Sequence, residues 1–223
     1  MKSQLYSFWR SSAAFRVRIA LNLKQLDYQV LPLHLIKQGG EHLQAEYQKL
    51  NPGSLVPLYI EDQTHLHQSL AIIEYLEERY PNPALLPTDL LDRAWVRAIS
   101  LDIACDIHPI NNLRVLRYLV KQLGISNEAK DEWYRHWVKL GLESLEKRIE
   151  QDKKSGDFCL GNQPTIADIV LVPQLFNAAN SEMNLSAYPN LKRITQNCMQ
   201  IPAFINASWE HQIDTEGKNP SLE

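Results

Sequence analysis

Nine residues, from Pro81 to Asp89, divide this chain into two parts of different character. The segment reads PNPALLPTD and contains three prolines, and proline removes a backbone donor and disfavours helical conformation in the residue before it. Apolar spacing changes repeatedly before this segment, whereas helical spacing dominates after it. The chain is predicted to have four parts: an α/β domain (1–81), a linker (82–89), an all-helical domain (90–214) and a polar, disordered tail (215–223).

The first part alternates between short strand-like runs and amphipathic helical runs. The run from Ala13 to Leu23, for example, has apolar residues at a spacing of three to four, which is typical of a helix packed on one face. The predicted elements follow the order βαβαββα, with strands near Leu5, at Tyr28–Leu35, at Leu55–Ile60 and at Thr64–His67, and helices at Ala13–Leu23, Leu43–Leu50 and Leu70–Tyr80.

The second part is predicted to be helical throughout. Its helices are expected at Leu91–Leu123, Glu128–Lys154, Ile166–Asn180, Asn190–Met199 and Ala203–His211. Thr165 and Asp168 have the spacing of a capping box, in which a hydroxyl and a carboxylate satisfy the first backbone donors of a helix. We therefore interpret Thr165 and Asp168 as structural residues.

Composition and charge exclude several classes of function. A net charge of −3 without a basic, aromatic-rich face argues against nucleic-acid binding, and a small anionic or neutral ligand is the better expectation. The sequence lacks a signal-peptide pattern and an apolar run of membrane-spanning length, so we expect a cytoplasmic protein that does not enter a membrane. Three widely separated cysteines predict neither disulfides nor a zinc site, and His65 with His67 lacks further ligands, so no metal is expected.

Two helix starts in the first part predict anion-binding sites. Ser11 and Ser12 stand between a strand and a helix, where unpaired backbone N–H groups and the helix dipole attract negative charge. Gln68 and Ser69 repeat this arrangement before a later helix. From their position alone, one of Ser11 and Ser12 could be only a helix cap, and Ser69 is predicted to cap the helix at Leu70–Tyr80. Two such sites in one small domain suggest a ligand that carries both a thiolate and a carboxylate.

Five segments, read in order, resemble the zeta class of the glutathione transferases, whose bacterial members include maleylacetoacetate and maleylpyruvate isomerases. The segments are YSFWRSSAAFRVRIALNLK, LNPGSLVPLYIED, HQSLAIIEYLEE, ACDIHPINNLRVL and GNQPTIADIVLVPQ, and the resemblance covers about residues 4–212. It implies a thioredoxin-like first domain, an all-helical second domain and a homodimer with each active site in the cleft between the two domains.

The resemblance also implies where glutathione and substrate bind. Pro57 is expected to be cis, which would present the backbone of Val56 to glutathione, while Gln68 and Ser69 take its γ-glutamyl end and His42 lies near its glycyl end. Catalytic roles fall to Ser11, Arg10 and His108. The full set of expected glutathione- and substrate-binding residues is Ser11, Ser12, Ala13, His42, Val56, Pro57, Gln68, Ser69, His108, Asn112, Leu113 and Arg114. For Arg16 and Arg18, ion-paired or solvated roles are expected.

The implied reaction is reversible addition of the glutathione thiolate to a cis double bond, followed by rotation and expulsion of the thiolate. The expected substrate is maleylacetoacetate, a small diketo acid of tyrosine catabolism. The alternatives are maleylpyruvate isomerisation, general glutathione conjugation or peroxide reduction, and a non-catalytic binding module of the same fold. Asn180 stands where the family usually has an arginine that meets a substrate carboxylate, which weakens the expected recognition of that carboxylate.

Overall fold

The structure is a computed structural model that describes residues 3–222 of the chain, and these residues form two compact units. The first unit runs to Leu85 and also contains Met199–Asn219, while the second contains Leu86–Cys198 and the residues from Pro220. The break at Leu85 falls within the predicted linker. Residues 199–214, placed by sequence in the helical domain, lie in the first unit in the structure.

The first unit is built on a four-stranded sheet with helices. Its elements are β1 (Ser3–Ser7), α1 (Ser12–Leu23), β2 (Tyr28–Pro32), α2 (Ala45–Leu50), β3 (Leu58–Glu61), β4 (Thr64–His67), α3 (Ser69–Arg79) and α9 (Pro202–Ala207). The strand order is β2-β1-β3-β4, with β1 parallel to β2 and antiparallel to β3. The predicted order βαβαββα is thus confirmed for the residues before the linker.

Helix α1 forms the centre of this unit because almost all of its length is buried. Phe15, Val17 and Ile19 have no exposed surface, and Ala20 and Leu21 are equally enclosed. Helices α3 and α9 both pack on α1. The spacing of apolar residues predicted a helix packed on one face, whereas in the structure α1 is covered from several directions and its arginines are buried as well.

The C-terminal segment, by which we mean residues 199–219, packs with the first unit through specific polar contacts. Asn22 of α1 donates from its side-chain amide to the carbonyl of Ala203 at 3.0 Å. Glu216 accepts from Lys37 and lies 3.6 Å from His34. Thr215, Glu216 and Gly217 were expected to be disordered, yet in the structure Glu216 is part of this ion-pair cluster.

The second unit is helical. Its helices are α4 (Leu90–Leu101), α5 (Leu113–Lys121), α6 (Asn127–Asp152), α7 (Ile166–Asn180) and α8 (Pro189–Cys198). The single helix predicted at Leu91–Leu123 is wrong, because α4 passes into a π-helical turn at Asp102–Ile107 and a 3₁₀ turn at Pro109–Asn111 before α5 begins. Pro109 causes part of this break, since it has no N–H to continue the helical ladder.

Helix α7 begins with the predicted capping box. The Asp168 carboxylate accepts from the Thr165 amide at 2.8 Å and from the Thr165 hydroxyl at 2.9 Å. It also accepts from the Cys159 amide at 2.7 Å. Burial raises the pKa of Asp168, and the hydrogen bonds from Cys159 and Thr165 oppose that shift. The structural role predicted for Thr165 and Asp168 is confirmed.

Within residues 3–222, no helix combines the length and the apolar character needed to cross a lipid bilayer.

Candidate functional site

Three predicted binding segments of the first unit meet at one end of its sheet. Tyr6 near the end of β1 pairs with Leu58 at the start of β3, and Leu58 pairs with His67 at the end of β4. The residues that follow β1, precede β3 and follow β4 must therefore lie at the same edge. These are the segments around Ser11, Val56–Pro57 and Gln68–Ser69. The Val56–Pro57 peptide is cis, as predicted.

Ser11 is the N-cap of α1 and is half-buried. Its hydroxyl oxygen accepts from the amide of Ala14 at 3.2 Å, and its carbonyl accepts from Phe15 at 2.8 Å. A serine hydroxyl has one proton and two lone pairs, so a bond accepted from Ala14 leaves the O–H free to donate. Ser11 can therefore cap the helix and donate a hydrogen bond to an anion at the same time.

Ser12 and Ala13 occupy the first turn of α1. Ser12 is buried and Ala13 is half-buried. At this end of a helix the backbone N–H groups point outward with partial positive charge, which suits a thiolate or carboxylate.

Gln68 has an unusual backbone conformation at the second predicted anion site. Its φ is 68° and its ψ is 115°, a region in which non-glycine residues are rare. Gln68 is exposed and occupies the N-cap position of α3, but its side chain makes no capping bond. The sequence-based assignment of Ser69 as the cap is thus wrong by one residue, since Ser69 is the first residue of the helix.

Ser69 is hydrogen-bonded to a buried arginine. Its hydroxyl oxygen accepts from Nη1 of Arg16 at 3.4 Å, and both side chains are buried. Burial excludes the solvated alternative expected for Arg16, and its guanidinium points into the unit toward Ser69. A buried guanidinium behind a serine at a helix N-terminus adds positive potential where an anionic group would bind.

His42 lies on a loop that leaves the same edge of the sheet. It is buried within a 3₁₀ turn at Glu41–Leu43. Gly40, with a φ of 108°, precedes it, and a Cβ there would come within 2.6 Å of the His42 ring. Glycine is required at position 40 for both reasons. The predicted role of His42 at the glycyl end of glutathione remains a prediction.

Arg18 is fully buried under the loop between β1 and α1. It donates to the Ser7 hydroxyl at 2.9 Å and to the carbonyls of Trp9 and Ala207 at 3.0 and 2.9 Å. Burial lowers the pKa of Arg18 to about 10, an effect opposed by Tyr28 and Asp214, so Arg18 stays charged at neutral pH. Its predicted ion-paired or solvated role is replaced by a structural one, because its donors hold backbone carbonyls.

Arg10 is exposed and lies directly before Ser11. Its guanidinium sits 5.7 Å from the centre of the Trp209 ring, a cation–π distance. The contact limits the orientations of a side chain that would otherwise be mobile. Arg10 is therefore an exposed cation held over Trp209, on the residue that precedes Ser11 in the chain.

In the second unit, the predicted residues form a small polar group where helical geometry changes. His108 stands between the π-helical and 3₁₀ turns, with its Nε2 3.4 Å from Nδ2 of Asn112. Asn112 caps α5 by accepting from the Arg114 amide at 3.2 Å. Leu113 begins α5, and Arg114 is exposed in its first turn. Placing these residues on one long helix was wrong, since α5 starts only at Leu113.

The two buried cysteines do not supply a nucleophile to either group. Burial raises the pKa of Cys159 and of Cys198 well above the usual value, so both stay protonated at neutral pH. Cys105 is exposed on the π-helical turn. Within residues 3–222, no group of three or more His, Cys, Asp or Glu side chains could hold a metal ion.

Sequence reasoning missed the support beneath the predicted site. Arg16 donates to the Ser69 hydroxyl, and Arg18 donates to the Trp9 carbonyl. Asp214 accepts from the Trp9 amide. Arginines inside an amphipathic helix normally indicate a solvated face, so spacing gave no signal for burial. The run RVR within an otherwise apolar stretch was the one available hint.

Comparisons with known proteins agree with this architecture. The family model described as glutathione S-transferase, N-terminal domain, matches residues 5–84, and that for the C-terminal domain matches residues 131–196. A probable maleylacetoacetate isomerase of Vibrio cholerae is 49% identical over 94% of this chain and 97% of its own length.

Two solved structures are also similar. The holo structure of maleyl pyruvate isomerase, a bacterial zeta-class glutathione S-transferase, has a TM-score of 0.92 and 43% identity, covering 95% of this chain and 99% of that one. Maleylacetoacetate isomerase from Methylobacterium extorquens AM1, with bound malonate and GSH, has a TM-score of 0.92 and 34% identity, covering 96% and 100%. The chain therefore belongs to the glutathione S-transferase family, within its zeta class.

Proposed function

We propose that this protein is a glutathione-dependent cis–trans isomerase of small diketo acids, with maleylacetoacetate as its substrate. The observation that carries the proposal is the half-buried Ser11 hydroxyl at the start of α1, at the sheet edge shared with Val56–Pro57 and Gln68–Ser69. The names of the Vibrio relative and of the two structural neighbours support the reaction class.

The residues at the sheet edge fit glutathione. Ser69 and the backbone around Gln68 offer hydrogen-bond donors and positive potential to the γ-glutamyl carboxylate, reinforced by buried Arg16. Val56 offers its backbone to the cysteinyl part, and His42 lies on the loop proposed for the glycyl end. Glutathione would supply the thiolate that adds reversibly to the cis double bond and so permits its rotation.

The chain's own residues are proposed to keep the glutathione thiol ionised and to pair with the negative charges of the substrate. A thiol has a pKa near 8.5, and a hydroxyl donor with a helix N-terminus lowers that value by about one to two units. Ser11 provides that donor. Arg10 and Arg114 are proposed to meet substrate carboxylates, and His108 with Asn112 to donate to the carbonyl oxygen that gains charge; such donors contribute roughly 2–4 kcal/mol each.

We further propose that the protein acts as a cytoplasmic homodimer in tyrosine catabolism. Maleylpyruvate is the second candidate substrate. An amide at the end of α7, Asn180, favours general glutathione conjugation of apolar electrophiles as the alternative activity, but it does not separate maleylpyruvate from maleylacetoacetate, since each carries two carboxylates. Arg10 and Arg114 remain as the proposed carboxylate partners in either case.

A paired assay tests the proposal. Purified protein is given glutathione with maleylacetoacetate or maleylpyruvate, and in parallel glutathione with a chlorinated aromatic compound. The proposal expects rapid glutathione-dependent conversion of a cis diketo acid to its trans isomer, with glutathione recovered unchanged. Conjugation of the aromatic compound without isomerisation would show a general transferase instead, and no turnover of either kind would indicate a binding module.

A further inference from the structure

The backbone of Trp9 is held from both sides. Its amide donates to Oδ2 of Asp214 at 3.0 Å, and its carbonyl accepts from Nη2 of Arg18 at 3.0 Å. Asp214 comes from the C-terminal segment and Arg18 from α1, so two distant parts of the chain fix one short loop. This loop connects β1 to α1 and ends at Ser11.

Hydrogen bonds to the residue before Trp9 couple its position to that of the residues after it. Phe8, just before Trp9, accepts at its carbonyl from the amide of Ser11 at 2.9 Å and from Nη1 of Arg18 at 3.4 Å. Residues 8 to 11 thus form a tight turn. A displacement of the Trp9 backbone therefore moves Arg10 and Ser11 together.

The C-terminal segment also holds the side chains of this turn. The Trp9 ring packs edge-to-face on Trp209, with ring centres 5.8 Å apart, and Arg10 lies over the same Trp209 ring. Gly217 lies so close to Trp9 that an added Cβ would stand 3.1 Å from its ring. The segment is therefore shaped around Trp9 and Arg10.

Asp214 is placed for this role by its own turn. The Thr215 amide donates to the carbonyl of Gln212 at 3.1 Å, and the Gln212 side chain donates to the carbonyl of Ser208 at 2.9 Å. Asp214 is half-buried, while Ile213 beside it is 76% exposed. A segment that turns a carboxylate inward and an isoleucine outward favours a specific polar contact over apolar packing.

We propose that Asp214 is a positioning residue that holds Arg10 and Ser11 in their reactive places through the Trp9 amide. The inference rests on the proposed function, because the position of Ser11 matters for rate only if glutathione reacts there. Asp214 itself touches no substrate. A displacement of about 1 Å in a reacting group can cost on the order of a hundredfold in rate, so a single hydrogen bond to the loop can control turnover.

Three variants test the proposal. Asp214→Ala removes the acceptor for the Trp9 amide, whereas Asp214→Asn keeps an acceptor oxygen and loses the charge. Glu210→Gln is the matched control, since Glu210 is an exposed carboxylate of the same segment whose bonds go to Asn219 and not to Trp9. Thermal unfolding is followed for each variant, and all measurements are made well below its transition.

The first readout is amide hydrogen exchange of peptides covering residues 8–14 in the free protein. We expect exchange in Asp214→Ala to be at least tenfold faster there, with near wild-type protection in Asp214→Asn and in Glu210→Gln. Unchanged protection in Asp214→Ala would overturn the inference, whatever the protein catalyses.

The second readout separates kcat from KM in the isomerase assay. We expect kcat to fall about tenfold to a hundredfold in Asp214→Ala, with the KM for glutathione changed less than threefold because Gln68 and Ser69 are untouched. Asp214→Asn should recover most of kcat. Faster exchange with an unchanged kcat, or an equal fall in Glu210→Gln, would refute the positioning role. Absence of isomerase activity in the wild-type protein would instead refute the proposed function, and the exchange arm would still decide whether Asp214 holds the loop.

Discussion

Removing the Ser11 hydroxyl should separate its two roles, because the structure provides a second serine with the same capping geometry. Ser11 accepts from the amide three residues later at 3.2 Å, and Ser126 at the start of α6 accepts from Ala129 at the same distance. Loss of either cap should cost about 1 kcal/mol. For a chain of this size that corresponds to a fall in Tm of roughly 2–4 °C.

Only the Ser11 variant should lose activity. A hydrogen bond to a charged group contributes about 1.5–3 kcal/mol, and 1.4 kcal/mol corresponds to roughly one decade in the thiolate population. We therefore expect kcat/KM for isomerisation to fall about tenfold to a hundredfold in Ser11→Ala, and less than twofold in Ser126→Ala. Steady-state kinetics at neutral pH and thermal melts of both variants provide the measurement.

Ser11→Gly makes the separation sharper. Glycine is tolerated at an N-cap at a cost of only a few tenths of a kcal/mol, so this variant should melt near the wild-type temperature and yet lose as much activity as Ser11→Ala. If Ser11→Gly and Ser11→Ala both keep kcat/KM within threefold of wild type, Ser11 is only a helix cap and the reasoning is wrong.

Three further changes have defined outcomes. Asp168→Ala should destabilise the second unit by about 3–5 kcal/mol, seen in chemical denaturation, because the buried donors of Thr165 and Cys159 lose their shared acceptor. Burial raises the pKa of Tyr47 to about 12, so between pH 10 and pH 12 the unfolded chain binds fewer protons than the folded chain. The free energy of unfolding should therefore fall as pH rises through this range, and it should fall less steeply in Tyr47→Phe. Asn180→Arg should lower the KM for maleylacetoacetate about fivefold or more through an added charge-assisted bond, and leave conjugation of a chlorinated aromatic compound unchanged.

Local signals predicted the elements whose ends are set by their own residues. The helix expected at Ala13–Leu23 is found at Ser12–Leu23, and the helix predicted at Ile166–Asn180 has those bounds. In both cases the side-chain oxygen at the N-cap and the apolar run after it indicate the same starting point for the helix. Sequence alone could therefore place Ser11 at the mouth of a helix, since that position depends on neighbours within four residues.

The features that could not be predicted from the sequence, namely the burial of two arginines and the packing of the C-terminal segment, depend on non-local contacts. Arg16 and Arg18 look solvated in a sequence, but α1 is covered by α3 and α9, so their guanidinium groups turn inward to Ser69 and to backbone carbonyls. The return of the C-terminal segment to the first unit has no local signal either, because its contacts reach back some 180 to 200 residues along the chain. Apart from the run RVR in an otherwise apolar stretch, no sign of the support beneath the site is therefore visible in the sequence.

Glutathione is proposed to be held as a thiolate at Ser11, and an ultraviolet absorbance titration of glutathione bound to the protein tests this most directly. We predict an ionisation midpoint about one to two units below the free-thiol value near 8.5 in the wild-type protein, and a midpoint higher by about one unit in Ser11→Gly. A wild-type midpoint at the free-thiol value, or equal midpoints in the two proteins, would contradict the account.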